Sequence, residues 1–259
     1  MQSLLFTAID RFRAPAPRAG RVDWMGEWTY AHRGLHSSGV PENSPSAFAD
    51  AIAAGLGIEC DVQRTGDGRA AVFHDWELDR LTDRSGPLAK MPIADIERIA
   101  LSGNGDMIPR LERLLDQISG QVPVLIELKS RGDTRMRTLC LAVRRALEGY
   151  PGHHAVMSFD ANVPRWFATH SPRTPRGLVM TEKGEGSRKT AWARHRALWQ
   201  ARPDFLAYDI RNLPSRFAAV QRKRGLPVLT WTVSTPELRA TAARHTDAAI
   251  AEGEGFVEA

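Results

Sequence analysis

From Tyr30 onward, short apolar and β-branched runs alternate with longer stretches whose apolar positions recur at helical spacing. The strand-like runs are residues 28–32, 57–64, 122–129, 155–159, 177–180, 205–210, 228–233 and 248–251. Helical spacing fills 44–54, 111–118, 134–148, 163–169, 191–200, 213–224 and 236–245. Two of these helices open on a capping hydroxyl followed by proline, Ser44-Pro45 and Thr235-Pro236, the order that supplies an N-cap and then a residue needing no N–H. Eight strands with intervening helices predict an α/β chain folded as a (β/α)8 TIM barrel. Residues 65–105 break the rhythm. Gly66-Asp67-Gly68 is a turn signal between two apolar runs, so a small excursion is expected after the second strand, carrying His74 back before a helix near 93–99. Residues 1–26 are expected as an N-terminal extension and 27–259 as one barrel domain.

The polar residues inside those apolar runs carry the chemistry. In Ile58-Glu59-Cys60-Asp61-Val62, Glu59 and Asp61 are two apart, so on a strand both point to one face while Ile58, Cys60 and Val62 take the other. In Ile126-Glu127-Leu128-Lys129, Glu127 and Lys129 share a face in the same way. His32 and Arg33 end the first predicted strand, and barrel active sites form where strands end and βα loops begin. Three inward carboxylates need positive charge. A hard divalent cation, Mg2+, Ca2+ or Mn2+, would supply it through oxygen ligands, and Arg33 and Lys129 alone are the competing source. His32 and His74 each follow an apolar run at the pocket end and have the pKa range for proton transfer. The other six histidines read as surface or packing residues.

Composition removes several classes. Hydrophobic residues at 42% and charged residues at 25% are ordinary for a globular chain with a full core, which excludes a disordered one. Cys60 and Cys140 match no metal or disulfide spacing and read as buried thiols in a reducing compartment. The opening residues carry no basic segment followed by a long apolar one, and the chain has no run of about 18 apolar residues. A cytoplasmic location without a membrane span is therefore expected. Residues 164–224 hold 14 Lys and Arg against 4 Asp and Glu, within a net charge of +5, which favours anionic partners and allows peripheral membrane contact. No nucleic-acid motif accompanies the arginines, so nucleic acid is not expected as a partner.

Several short motifs then fall in one order: His32-Arg33-Gly34, Pro41-Glu42-Asn43-Ser44, Glu59-x-Asp61-Val62, Thr65-x-Asp67-Gly68, His74-Asp75, Glu127-x-Lys129 and Leu229-Thr230-Trp231. In that order the sequence resembles the glycerophosphodiester phosphodiesterase family. The resemblance implies a TIM barrel that uses one divalent cation to hydrolyse a small-molecule glycerophosphodiester to an alcohol and sn-glycerol 3-phosphate. By the same match His32 and His74 are the acid/base pair, with the order of roles left open, and Glu59, Asp61 and Glu127 are the metal ligands. Arg33 and Lys129 would contact phosphate, Glu42 would orient catalytic groups or substrate hydroxyls, and Trp231 would line the glycerol pocket. Ser44 stands where threonine is common, and the last strand, ending Ala251-Glu252-Gly253, departs from the family's usual Thr-Asp ending. Two other readings stay in play: a lysophospholipase D type activity, which needs an apolar groove beside the pocket, and a non-catalytic barrel that binds lipid headgroups.

Overall fold

The computed structural model describes residues 2–183 and 190–257. The chain opens on helix α1 (Gln2–Arg13) and then divides into two compact units. Residues 30–154 make up one, with β1 (Tyr30–Ala31), α2 (Pro45–Ala53), β2 (Gly57–Arg64), β3 (Ala70–Val72), α3 (Ile93–Ile96), α4 (Leu111–Ile118), β4 (Val124–Leu128) and α5 (Met136–Ala146). β2 runs parallel to β1 and β4 and antiparallel to β3. Its register sets Asp61 directly beside Glu127 and Glu59 beside Leu125. This strand was expected from alternation at the bounds it occupies.

The excursion is built by its own turn. Thr65 Oγ1 donates to Asp67 Oδ1 at 2.5 Å and accepts from Arg69 N at 2.9 Å, closing the chain back onto β3. The same Asp67 oxygen accepts from Ile93 N at 3.1 Å, so one carboxylate shapes the turn and caps the start of α3. The apolar residues of this stretch turn inward: Leu78, Leu88, Ile93, Ile96, Ile99, Leu101 and Ile108 bury one another with Ala71 and Phe73. Each such side chain contributes about 1.5–3 kcal/mol on leaving water.

The other unit, residues 1–29 and 155–259, joins α1 to β5 (His154–Ser158), α6 (Asn162–His170), β6 (Arg176–Met180), α7 (Ala191–Ala201), β7 (Phe205–Asp209), α8 (Arg216–Lys223), β8 (Val228–Val233), α9 (Pro236–His245) and β9 (Ala248–Ala251). Strands β5 to β9 pair in parallel with their sequence neighbours, and Leu178, Leu206, Tyr208, Phe217 and Val228 lie in their core. Helix α8 starts at Arg216 rather than at Leu213, because the residue before a proline is held out of the helical region, Leu213 lies extended at φ −88° and ψ 143°, and Ser215 is the residue whose hydroxyl caps Ala218 N.

Residues 1–26, expected as an extension, carry a helix with a buried anchor. Asp10 on α1 is fully buried and accepts from Trp199 Nε1 at 2.7 Å and Gln221 Nε2 at 2.8 Å, with His195 Nδ1 at 2.9 Å. Phe6 stacks flat on the His195 ring at 4.2 Å. Among the described residues no helix is long and apolar enough to cross a membrane. No disulfide joins Cys60 and Cys140, and both are buried.

Candidate active site

Glu59, Asp61 and Gln63 occupy alternate positions of β2 and so share one face. All three are buried to within 2% exposure, which makes the charge of Glu59 and Asp61 a problem the surroundings must solve. Glu127 on β4 is the fourth polar residue of this face. Carboxylate oxygens of Glu59, Asp61 and Glu127 lie within 4.8 Å of one another. Lys129 Nζ bridges two of them, 2.8 Å from Asp61 Oδ1 and 2.8 Å from Glu127 Oε1.

The loop after β1 closes over this face. Arg33 adopts φ +57° and turns its backbone N–H to Glu59 Oε2 at 3.1 Å. Its guanidinium reaches Glu42 Oε1 at 2.7 Å and sets Nε 3.3 Å from Asp61 Oδ2, where that buried N–H makes no hydrogen bond. Gly34, at φ +80°, passes so close to α2 that a Cβ would meet the Ala47 backbone at 2.9 Å, so only glycine fits. Asn43, also left-handed at φ +56°, clasps Asp61 twice: its Nδ2 donates to Oδ2 and its Oδ1 accepts from the Asp61 N–H, both at 3.1 Å. Ser44 then caps α2 through Ala47 N at 3.1 Å. His32, half-buried, directly follows β1 and precedes the Arg33 amide that touches Glu59.

His74 is held from behind. Phe73 N donates to Asp61 O at 3.0 Å, and the Gln63 amide donates to the carbonyls of Phe73 at 3.1 Å, His74 at 3.0 Å and Asp75. Nδ1 of His74 sits 2.6 Å from Asp75 Oδ1. Arg80 ties Asp75 to Glu42, with Nε 2.5 Å from Asp75 Oδ2 and Nη2 2.7 Å from Glu42 Oε1. Burial pushes the Asp75 carboxyl up, but the Arg80 and His74 hydrogen bonds outweigh it and lower its pKa to about 2. An ionised Asp75 can only accept, so the proton of a neutral His74 lies on Nδ1 and Nε2 is left as the basic atom.

The acids titrate in opposite directions. Burial, then Asp61 and Glu127, raise Glu59 well above the carboxylate range. Burial pushes Asp61 up too, yet Lys129, Arg33 and His74 overcome it and hold Asp61 far below that range. His74 is lowered from 6.5, chiefly by burial, against the pull of Asp61. So raised, Glu59 keeps its proton until a cation draws it off; with Glu59 ionised, the five carboxylates Glu42, Glu59, Asp61, Asp75 and Glu127 face the three cations Arg33, Arg80 and Lys129, two negative charges in excess when both histidines are neutral. Buried uncompensated charge is costly. A convergent set of three buried carboxylates that ionises fully only with two more positive charges beside it fits one hard divalent cation.

The structure thus gathers Arg33, Glu42, Glu59, Asp61, Glu127 and Lys129 into one network and sets the His74–Asp75 pair against it through Arg80 and Gln63. Arg80, Gln63 and the clasp by Asn43 are additions to the expected set. Gln63 had a signal, since it stands two residues beyond Asp61 on the same strand face; Arg80 lies in an irregular loop with none. Trp231 belongs to the other unit. On β8 its Nε1 donates to Ala207 O at 3.0 Å, and its ring meets Phe159 edge-on at 5.4 Å.

Comparison with known proteins places these residues in a family. The model of the glycerophosphoryl diester phosphodiesterase family matches residues 32–252. A Mycobacterium tuberculosis protein named as a probable glycerophosphodiester phosphodiesterase 2 is 29% identical over 87% of both chains. A Bacillus altitudinis glycerophosphodiester phosphodiesterase is 35% identical over 39% of this chain and 43% of its own length. Among solved structures, a Silicibacter pomeroyi protein bearing the family's name superposes with a TM-score of 0.73 at 26% identity, covering 86% of this chain and 89% of that one. The Thermotoga maritima glycerophosphodiester phosphodiesterase superposes at 0.71 with 24% identity, a likeness of fold, over 86% and 93% of the two chains. The fold class is the expected (β/α)8 barrel. This chain belongs to the glycerophosphoryl diester phosphodiesterase family and is a phosphoric diester hydrolase.

Proposed function

We propose that the chain hydrolyses glycerophosphodiesters to an alcohol and sn-glycerol 3-phosphate, with one divalent cation held by Glu59, Asp61 and Glu127 and with His32 and His74 moving the protons. The observation that carries this reading is the buried cluster of three convergent carboxylates, short of two positive charges once Glu59 ionises and braced against the Asp75-paired His74. When bound, a cation of this kind neutralises charge developing on the phosphoryl oxygens.

The residues divide the remaining work. Lys129 and the Nε of Arg33, whose N–H makes no hydrogen bond, offer donors to a phosphate oxygen. One histidine takes the proton of the neighbouring glycerol hydroxyl as its oxygen bonds to phosphorus. The other gives a proton to the departing alkoxide as the old phosphorus–oxygen bond breaks. Water then opens the resulting cyclic phosphate with the two roles exchanged. Asp75 fixes the His74 tautomer, and Arg80 keeps Asp75 ionised. Glu42, pushed up by burial but held down by Arg80 and Arg33, stays an anion that orients Arg33. Trp231 is assigned to the glycerol pocket by the family motif alone.

The lysophospholipase D reading calls for an apolar groove beside His74, and the excursion that would build one spends its leucines and isoleucines on its own core. Cys60 and Cys140, both buried thiols, support a cytoplasmic site of action. The test is a release assay. Wild-type protein incubated with glycerophosphodiesters is expected to liberate sn-glycerol 3-phosphate, and chelator, His32→Ala or His74→Ala is expected to abolish the release. Release that survives all three rejects the mechanism.

A further inference from the structure

Beside His74 two cavities adjoin, sharing Trp76, Glu77, Lys129 and Arg131. One reaches His74 and Asp75; the other, of about 330 Å³, extends away over Arg64, Lys90 and Arg135. The family assignment fixes the reaction and not the alcohol that leaves. A group departing from phosphorus with a proton from His74 would pass into this space.

Its charge is lopsided. Arg64, Lys90, Lys129, Arg131 and Arg135 line the second cavity, against Glu77 and Asp133. Lys129 is committed to Asp61 and Glu127, and Arg135 lies 3.5 Å from Asp133. With those set aside, Arg64, Lys90 and Arg131 still outnumber Glu77. Trp76 is the aromatic wall, and a quaternary ammonium would seek its face. The Arg131 guanidinium already lies over that ring, 4.5 Å from its centroid. Arg131 therefore repels a cationic headgroup and also occupies the surface that would bind it. To an anionic oxygen the same guanidinium offers a donor fork held flat against the indole.

Resting on the phosphodiesterase reading above, we propose that this cavity receives the leaving alcohol and selects glycerophosphodiesters whose headgroup carries its own negative charge, such as a second phosphate, over those with a choline headgroup. Arg131 and Trp76 are the residues that set the preference.

The test measures kcat/KM for sn-glycerol 3-phosphate release from three probes that differ in the charge of the leaving alcohol: glycerophosphocholine, glycerophosphoinositol and glycerophosphoinositol 4-phosphate. Wild type is expected to favour the last over the first by about tenfold or more, the size of one or two partly exposed charge contacts. Arg131→Ala is expected to shrink that ratio by about fivefold, by losing the anion and opening the Trp76 face to choline. Trp76→Ala in the Arg131→Ala background should then reverse the choline gain. Equal or higher kcat/KM for glycerophosphocholine in wild type, or a ratio unmoved by Arg131→Ala, overturns the selectivity while the hydrolysis itself stands. No glycerol 3-phosphate from any probe overturns the phosphodiesterase reading and the selectivity with it.

Discussion

Two aspartates in this chain each hold a histidine, and their surroundings make them different objects. Asp10 faces His195, Trp199 and Gln221, three donors for two oxygens, with Phe6 stacked on the imidazole. Burial pushes Asp10 up, and its hydrogen bonds, His195 first, bring it below the ordinary 3.8. Every part of that cluster is satisfied, and it pins a helix. Asp75 also pairs with its histidine, but His74 lines an open cavity and feels Asp61 across the way. Beyond it Glu59 is raised by burial and two like charges. A histidine–aspartate pair is thus no sign of catalysis in itself. Unbalanced charge and access to a ligand are what set the second pair apart.

That contrast breaks most visibly in paired variants. His74→Ala should lower kcat by about 10²–10⁴-fold with little change in unfolding, the range expected for losing a general acid or base. His195→Ala should do the reverse, leaving kcat within about twofold while costing about 3 kcal/mol in urea unfolding, because buried Asp10 loses its imidazole partner. Equal kcat losses in the two variants would erase the distinction.

Asp75→Asn sharpens it. The Asp75 hydrogen bond raises His74's pKa against burial, so without it the limb of the kcat/KM profile set by His74 should move to lower pH, and kcat should fall about 10²-fold with the tautomer no longer fixed. For Asp10 the pH effect belongs to stability. Its folded pKa lies below its unfolded one, so its contribution is complete above about pH 4 and is lost as pH falls through the folded value. Acid unfolding followed by circular dichroism should lose this component in Asp10→Asn, with kcat unchanged.

Gln63→Leu should have a smaller effect. It strips three carbonyls on the His74 loop of their donor, and kcat should fall about tenfold while KM moves little, since the loop and not the substrate loses a partner. Ser44→Ala should be least, about 1 kcal/mol of stability from the lost α2 cap, read from thermal unfolding, with kcat nearly intact.

Much of the site was legible because strand alternation is a strict period: Glu59 and Asp61 two apart in an apolar run fixed their common face, and β4 repeated the pattern with Glu127 and Lys129. The bounds of β2, α4, β8 and α9 followed from periodicity, and for α9 also from the Thr235 cap. The role of α1 was not legible. Its anchor Asp10 finds partners 185 to 211 residues away, and no local pattern carries a contact of that range. Arg80 escaped for a related reason, since it reaches Glu42, 38 residues earlier, from a loop without periodicity. The first strand ran shorter than its apolar pattern, as the left-handed turn at Arg33 and Gly34 follows it almost at once.

On the proposed function, Glu59, Asp61 and Glu127 hold a divalent cation on which turnover depends. The direct measurement titrates Mg2+, Ca2+ or Mn2+ into chelator-treated protein while sn-glycerol 3-phosphate release is followed, for wild type and Glu59→Gln. Wild type is expected to show saturable, single-site activation, and the variant its loss or a shift of more than about tenfold in the half-saturating concentration. Full turnover in the metal-free protein, or identical activation curves for the two, would contradict it.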